Sequence, residues 1–146
     1  MTGPVLSRDA LDPARLVAAV HRPSHGATVL SAAVTPATGP GPRAVVALAY
    51  VADGDATDAV VAALGTEVAA RFGAVVCVRH RIGEVPGGEV VRVVAASAPH
   101  RAEAFAACRV AVDVLARELP VRVQEIRADG TREWRDGAAP AIPSGA

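Results

Sequence analysis

The sequence predicts an α+β fold, a single domain with a mainly antiparallel or mixed sheet and three helices. Three observations carry this. The chain has 146 residues, the length of one domain with its own hydrophobic core. Its strand-like segments come in pairs that bracket helical ones, in the order α-β-β-α-β-β-α-β, and not in the strict βα alternation that feeds a parallel sheet. It is 51% apolar but only 3% aromatic, so Val, Ala and Leu must fill the core.

Asp12-Pro13 opens the first, short helix, because Asp caps well and Pro suits the first helical position. Residues 27–34, ATVLSAAV, read as a small-residue strand. TPATGPGP (35–42) is too rich in Pro and Gly for regular structure and reads as a mobile loop. Residues 43–51, RAVVALAYV, form a second strand, and ADGDA (52–56) a turn in which Asp55 is the expected N-cap. The following helix carries Val60, Val61, Leu64, Val68 and Phe72 on one face, and Gly73 fits its C′ position. Residues 74–80, AVVCVRH, make a third strand, VPGG (85–88) a tight turn and EVVRVVAAS (89–97) a fourth strand. Pro99 starts the longest helix, 99–118, with Ala104, Cys108, Ala111, Val112 and Leu115 on one side. Pro120 stops it, VRVQEIR (121–127) alternates as a fifth strand, and Asp129-Gly130 is a turn. The domain is expected to span 1–135, followed by a disordered low-complexity tail, 136–146.

Formal net charge is zero, which argues against nucleic acid as the main partner. No apolar run approaches the roughly 18 residues of a membrane span, and the N-terminus lacks the pattern of a secretory signal. Cys77 and Cys108 read as buried free thiols. No CxxC or His/Cys spacing suggests a metal, and no P-loop or GxGxxG a nucleotide. The expectation is a cytoplasmic protein with no metal, cofactor, nucleic acid or membrane partner. The chain has no lysine, so all 15 of its basic residues are arginine. A genome rich in G and C produces such a bias, so a missing lysine is informative only where something other than Arg replaces it.

Two polar clusters interrupt the apolar segments, RHRIGEVPGGE (79–89) and SAPHRAEAF (97–105). In the second, Pro99, His100 and Arg101 fall in the first helical turn. Backbone N–H groups point outward there and favour anions, and Arg grips a phosphate or carboxylate in a bidentate way. Each His-Arg pair also reads as an ordinary solvated strand end or cap.

HRIGEVPGGE, SAPHRAEAFAAC and AVDVLARELPVRVQE, in that order and spacing, resemble the large, catalytic subunit of molybdopterin synthase. DGTREW (129–134) resembles that family's closing segment. The likeness is best over residues 74–135 and weak, though order-preserving, over 1–73. It implies the α/β-hammerhead fold and sulfur transfer in molybdenum cofactor biosynthesis. Enzymes of this family move sulfur from the thiocarboxylated Gly-Gly end of a small ubiquitin-like carrier to a cyclic pyranopterin monophosphate. The large subunit is usually a homodimer with a carrier at each end, a heterotetramer.

By position, the resemblance makes His100 and Arg101 substrate-binding residues, with Gln124 and Glu125 beside them in the last block. The family's two lysines fall on Ala116 and Val123, and an arginine of its anion site falls on Thr35; Ala32 and Ala33 replace the family's Gly and the residue after it. None of these substitutions is Arg, so codon bias alone does not account for them. Each charged hydrogen bond lost to a phosphate costs affinity, on the order of 1–3 kcal/mol. Arg117, Arg122 and Arg43 are the candidate substitutes for the lost charge. Arg117 and Arg122 each lie one residue from a lysine position, which on a helix turns the side chain about 100° and on a strand reverses its face. Asp113 reads as a polar helix position and Trp134 as a packing aromatic; His21 and His25 receive no role. Three readings follow: a divergent sulfurtransferase, a non-catalytic homologue that binds a carrier or acts as a dimeric scaffold or regulator, and a pocket for another anionic small molecule.

Overall fold

A computed structural model describes residues 3–135 of the chain. The tail expected to be disordered, 136–146, lies outside the described residues. The elements are β1 (Leu6–Ser7), α1 (Pro13–Val20), β2 (Ala27–Val34), β3 (Val45–Ala52), α2 (Gly54–Phe72), β4 (Val75–Arg81), β5 (Gly83–Pro86), β6 (Val90–Ala98), α3 (Arg101–Glu118), β7 (Val121–Arg127) and β8 (Arg132–Trp134).

The α+β class holds, with three helices. The strands divide into two four-stranded sheets, ordered β1-β4-β6-β2 and β5-β3-β7-β8. Every pairing is antiparallel except β1 with β4. The three strands absent from the sequence reading are β1, β5 and β8, of 2, 4 and 3 residues. Val85 and Pro86 were expected in a turn but belong to β5, because they pair with Leu48 and Ala47 of β3. The turn is left to Gly87 and Gly88. Gly87 cannot be larger: its N–H donates to the Val46 carbonyl at 2.8 Å, and a Cβ there would sit 2.6 Å from Cβ of Ala37.

Residues 35–42 have no regular structure, as their Pro and Gly content requires. Thr38 pins the loop, since its Oγ1 accepts from the Val45 N–H at 2.8 Å and its own N–H donates to the Val45 carbonyl.

Asp12 caps α1, with Oδ1 accepting from the Ala14 N–H at 3.0 Å and Pro13 following at the first position. The cap of α2 is Asp53, not Asp55: extended Asp53 accepts from the Ala56 N–H at 2.9 Å. Asp55 falls inside the first turn, where its charge suits the helix N-terminus. Gly73 ends α2 in the left-handed conformation at φ 61°. The third helix begins two residues later than expected. Pro99 precedes it and extended His100 occupies the cap position.

One core lies between α2, α3 and the first sheet, around Leu64, Val68, Val78, Val94, Ala104, Ala111 and Leu115. The opposite sheet face carries α1, whose Leu16 and Val20 meet Cys77, Val93 and Ala95. Alternate β6 residues therefore face opposite ways, with Val94, Ala96 and Ala98 toward α2 and α3. A third cluster, Val45, Leu48, Tyr50, Val85 and Val91, joins the second sheet to the end of the first. Cys77 and Cys108 are free and buried, and burial raises both thiol pKa values. No helix among the described residues is long and apolar enough to cross a membrane.

Candidate functional site

Pro120 ends α3 and β7 then turns back along β3, so the end of the helix and the start of the strand close one pocket. Its volume is about 410 Å³, within the range of small-molecule sites. Ala116 of α3 and Val123 of β7, seven residues apart in sequence, both line it. Leu48, Leu115 and Leu119 supply apolar wall, and Tyr50, His80, Arg92 and Arg135 supply the polar groups. No Asp or Glu is among the lining residues.

The strand registers explain this convergence. Tyr50 stands opposite Val123 across β3 and β7. In the first sheet Arg92 stands between His80 of β4 and Ala33 of β2, and opposed residues share a face. By the β6 alternation that face is the one toward α3. Val94 and Ala96 meet the middle of the helix, whereas Arg92 lies beyond them by its last turn.

Tyr50 is only 8% exposed, and its hydroxyl shares a 3.0 Å hydrogen bond with Oγ1 of fully buried Thr35. Its ring meets the His80 ring edge-on, with centroids 5.4 Å apart at 70°. Nδ1 of His80 lies 2.6 Å from the Arg81 carbonyl, so Nδ1 carries the proton and Nε2 the lone pair. Burial lowers the His80 pKa, which keeps the ring neutral near neutral pH. Arg92 is half-buried, and burial lowers its pKa as well, although a guanidinium stays charged. Its side chain forms no hydrogen bond or ion pair among the described residues, and Tyr50 is its favourable electrostatic neighbour. Arg135 pairs with Glu125 at 3.6 Å, and Glu125 also holds Arg127 at 2.8 Å.

The residues expected from the sequence do not all meet here. His100 and Arg101 start α3, and Ala116 lies 16 residues further on, which at 1.5 Å per residue is about 24 Å. The pair lines a separate open hollow of about 490 Å³ with Gly26, Ala27 and Pro99. Gly26 donates its N–H to the Pro99 carbonyl at 3.1 Å, and a Cβ there would be 2.9 Å from that oxygen, so the loop is packed directly against the helix start. The His100 side chain makes no capping bond.

Gln124 falls on the other face of β7 from Val123, where Arg132 reaches its Oε1 at 3.4 Å. Arg117 is exposed and Arg122 half-buried, and neither lines the pocket. Thr35 is buried behind it, its hydroxyl committed to Tyr50. Arg43 is exposed on the loop before β3. Asp113 pairs with Arg109 at 3.0 Å, and Trp134 pairs with Gln124 in register on β8. His25, given no role from the sequence, has Nδ1 2.8 Å from Oγ of fully buried Ser97. Ser97 donates to the Val20 carbonyl, so His25 is the donor of that pair and ties its loop to β6.

Sequence reasoning missed Arg92, Tyr50 and Arg135 as pocket residues and quoted His80 only within a motif. A signal for Arg92 was present, since it breaks the apolar run of EVVRVVAAS on the alternation that faces the core. Larger hollows exist beside α1, about 500 Å³, and beside α2, about 700 Å³. The carboxylate of the latter, Asp58, already accepts from the Val5 N–H at 3.2 Å. Size is therefore a poorer guide than the convergence of titratable groups. Among the described residues no group of three or more His, Cys, Asp or Glu is placed to hold a metal.

The family model described as MoaE protein matches residues 6–118. The chain belongs to the MoaE family. The match takes in His100, Arg101 and Ala116 and stops short of Val123. Among curated MoaE relatives, the molybdopterin synthase catalytic subunit of Thermoplasma volcanium is 32% identical over 127 residues, 85% of this chain and 90% of that protein. Several other proteins of that name are 44–46% identical over 59 residues, and those matches span only 30–40% of their length. Two solved structures share the fold. Molybdopterin synthase from Staphylococcus aureus superposes with a TM-score of 0.85 at 21% identity, covering 92% of this chain and 98% of that one. A complex of subunits 1 and 2 of the molybdopterin-converting factor from Helicobacter pylori gives 0.73 at 13% identity, covering 89% and 88%.

Proposed function

We propose that this protein is the large-subunit partner in a molybdopterin synthase reaction, taking sulfur from a thiocarboxylated small carrier and delivering it to a cyclic pyranopterin monophosphate. One observation carries the reading. Ala116 and Val123, the positions at which the motifs align with the family's two lysines, come from different elements and line one pocket. Residues that merely drifted in sequence have no reason to share a cavity.

The pocket offers three things such a reaction uses. Apolar walls from Leu48, Leu115 and Leu119 exclude water from a flat ring system. Arg92, with no carboxylate among the lining residues, makes it a site for anions. Neutral His80 is a proton acceptor at Nε2. What the chain lacks here is an amine, since neither Ala116 nor Val123 offers a nucleophile or a charge.

His100 and Arg101 serve the same substrate only if a second copy brings its α3 start to this pocket, because within one chain about 24 Å of helix separates them. That distance supports a homodimer. The small carrier docks at each end, as the named subunits of the Helicobacter pylori complex suggest by analogy.

The missing amines favour a second reading, a homologue that binds carrier and substrate without turnover. One experiment separates the two. Purified protein is mixed with thiocarboxylated carrier and the cyclic pterin precursor beside an active MoaE control. Molybdopterin formed above the carrier-only background supports catalysis. Stable co-elution with carrier and no product supports the binding homologue. Failure of both removes the sulfur-transfer reading.

A further inference from the structure

Three expected cations of the family site are absent at Thr35, Ala116 and Val123, yet the pocket is not without charge. We infer that Arg92 is the anion-binding residue of this pocket and holds the phosphate of a small phosphorylated ligand. The identity of that ligand rests on the sulfur-transfer reading; the anion site does not.

The first ground is placement. Ala33, Arg92 and His80 form one row across β2, β6 and β4, and all three line the cavity that Ala116 and Val123 also line. A guanidinium there puts a cation into the same cavity in which those two positions carry none.

The second ground is the absence of a carboxylate partner. Arg71, Arg81, Arg109, Arg127, Arg132 and Arg135 each contact a carboxylate. Arg92 is half-buried, no Asp or Glu lines its cavity, and its side chain makes no ion pair or hydrogen bond among the described residues, Tyr50 being its one favourable electrostatic neighbour. Its row neighbours do not neutralise it: Ala33 is apolar, and burial holds His80 in the neutral form. Arg135 shares the pocket, but Glu125 at 3.6 Å offsets its charge. A cation drawn out of water without a partner costs stability. Packing does not require it either, since the same β6 face carries Val94 two residues on. A charge kept at a cost, in a cavity, by a chain that gives it no carboxylate is the mark of a ligand site.

The third ground is chemical fit. The planar guanidinium presents two parallel N–H donors to two oxygens of a phosphate. Tyr50 lines the same cavity, and its leucines accommodate an uncharged ring beyond the phosphate. This differs from what the lost lysines supply. It gives one fixed fork from the sheet side in place of mobile amines from the helix end and β7, so it binds and orients without acting as a nucleophile.

The test is an NMR titration of the full chain, following the Arg92 Nε–H and the ring resonances of Tyr50, the one tyrosine of the sequence. The probes are inorganic phosphate and, as a mimic of a carrier's C-terminal carboxylate, diglycine. The expected result is a saturable shift with phosphate and a much weaker response to diglycine. Arg92→Gln then weakens phosphate binding at least tenfold, and Arg92→Lys recovers part of it. Any of three results overturns the inference: no saturable shift in the wild-type chain, undiminished binding by a folded Arg92→Gln, or diglycine bound more tightly than phosphate. Should Arg92→Gln not fold, the wild-type titration decides alone. Carrier co-elution and molybdopterin formation are measured separately on the same protein. Their failure with the phosphate shift intact counts against the sulfur-transfer reading and leaves Arg92 standing.

Discussion

Tyr50→Phe removes one oxygen from the pocket wall and changes little else, because the ring contact with His80 depends on the ring alone. The lost hydroxyl is the 3.0 Å partner of Thr35 Oγ1, and Thr35 is fully buried. No other hydrogen bond to that oxygen is present among the described residues, so the variant strands a polar atom away from water. Leaving a buried group unsatisfied costs about 1–3 kcal/mol, whereas a made hydrogen bond is worth about 1. For a chain of this size that is a fall in Tm of about 3–9 °C. Thr35→Val alone should cost less, because the Tyr50 hydroxyl borders the pocket and can turn to the solvent there. The double variant replaces both partners with apolar groups of like shape and should approach wild type, giving a coupling of roughly 1 kcal/mol or more. Urea denaturation of the four proteins reads this directly from the midpoints at constant m. A neutral Tyr50→Phe, or a double variant as unstable as the sum of its singles, would show that the hydroxyl pair is not the closed unit described.

Other consequences follow from the same geometry. Burial lowers the His80 pKa, so the folded state holds the neutral ring while the unfolded chain takes up a proton near the ordinary value of about 6.5. The unfolded state then binds more protons, so this contribution is complete above about pH 6.5 and is lost as pH falls below it. Denaturation midpoints of wild type should therefore drop between pH 7.5 and 5 more steeply than those of His80→Gln; parallel curves would remove His80 as the cause. Gly87→Ala forces a Cβ to 2.6 Å from Ala37 and should destabilise by about 1–3 kcal/mol, seen as a lower urea midpoint, and a neutral variant would mean that the loop at 37 moves freely. Both cysteines are buried with raised pKa, so a thiol-reactive disulfide reagent should label neither in the native protein within minutes and both in denaturant. Rapid native labelling of Cys108 would indicate that α3 opens from the sheet.

Local chemistry was enough for most of the elements. β2 and β7 have the bounds that ATVLSAAV and VRVQEIR imply, because alternation over seven or eight residues allows little else. Asp12-Pro13 and Gly73 end their helices by cap chemistry that involves only nearby backbone. Two aspartates within three residues defeated the same reasoning at α2, since Asp53 and Asp55 differ only in the backbone conformation each adopts. β1, β5 and β8 were not legible, because their length comes from distant partners. Leu6 is a strand residue because His80 runs beside it, not because of its neighbours in the chain.

The division is sharper at the pocket. Three ordered motif blocks were enough to indicate the family, and by resemblance alone Ala116 and Val123 were expected at the lysine positions. Those are properties of residue identity and spacing, which a linear chain carries by itself. That Ala116 and Val123 share a wall, that Arg117 and Arg122 do not join them, and that His100 lies a helix length away depend on how α3 meets β7. Arg92 belongs to the second kind. In the sequence it is one arginine of fifteen, and only the register that sets it between Ala33 and His80, facing an acid-free cavity, distinguishes it from the rest. Charge and identity are local, but whether a charge has a partner is decided by segments far apart in the chain.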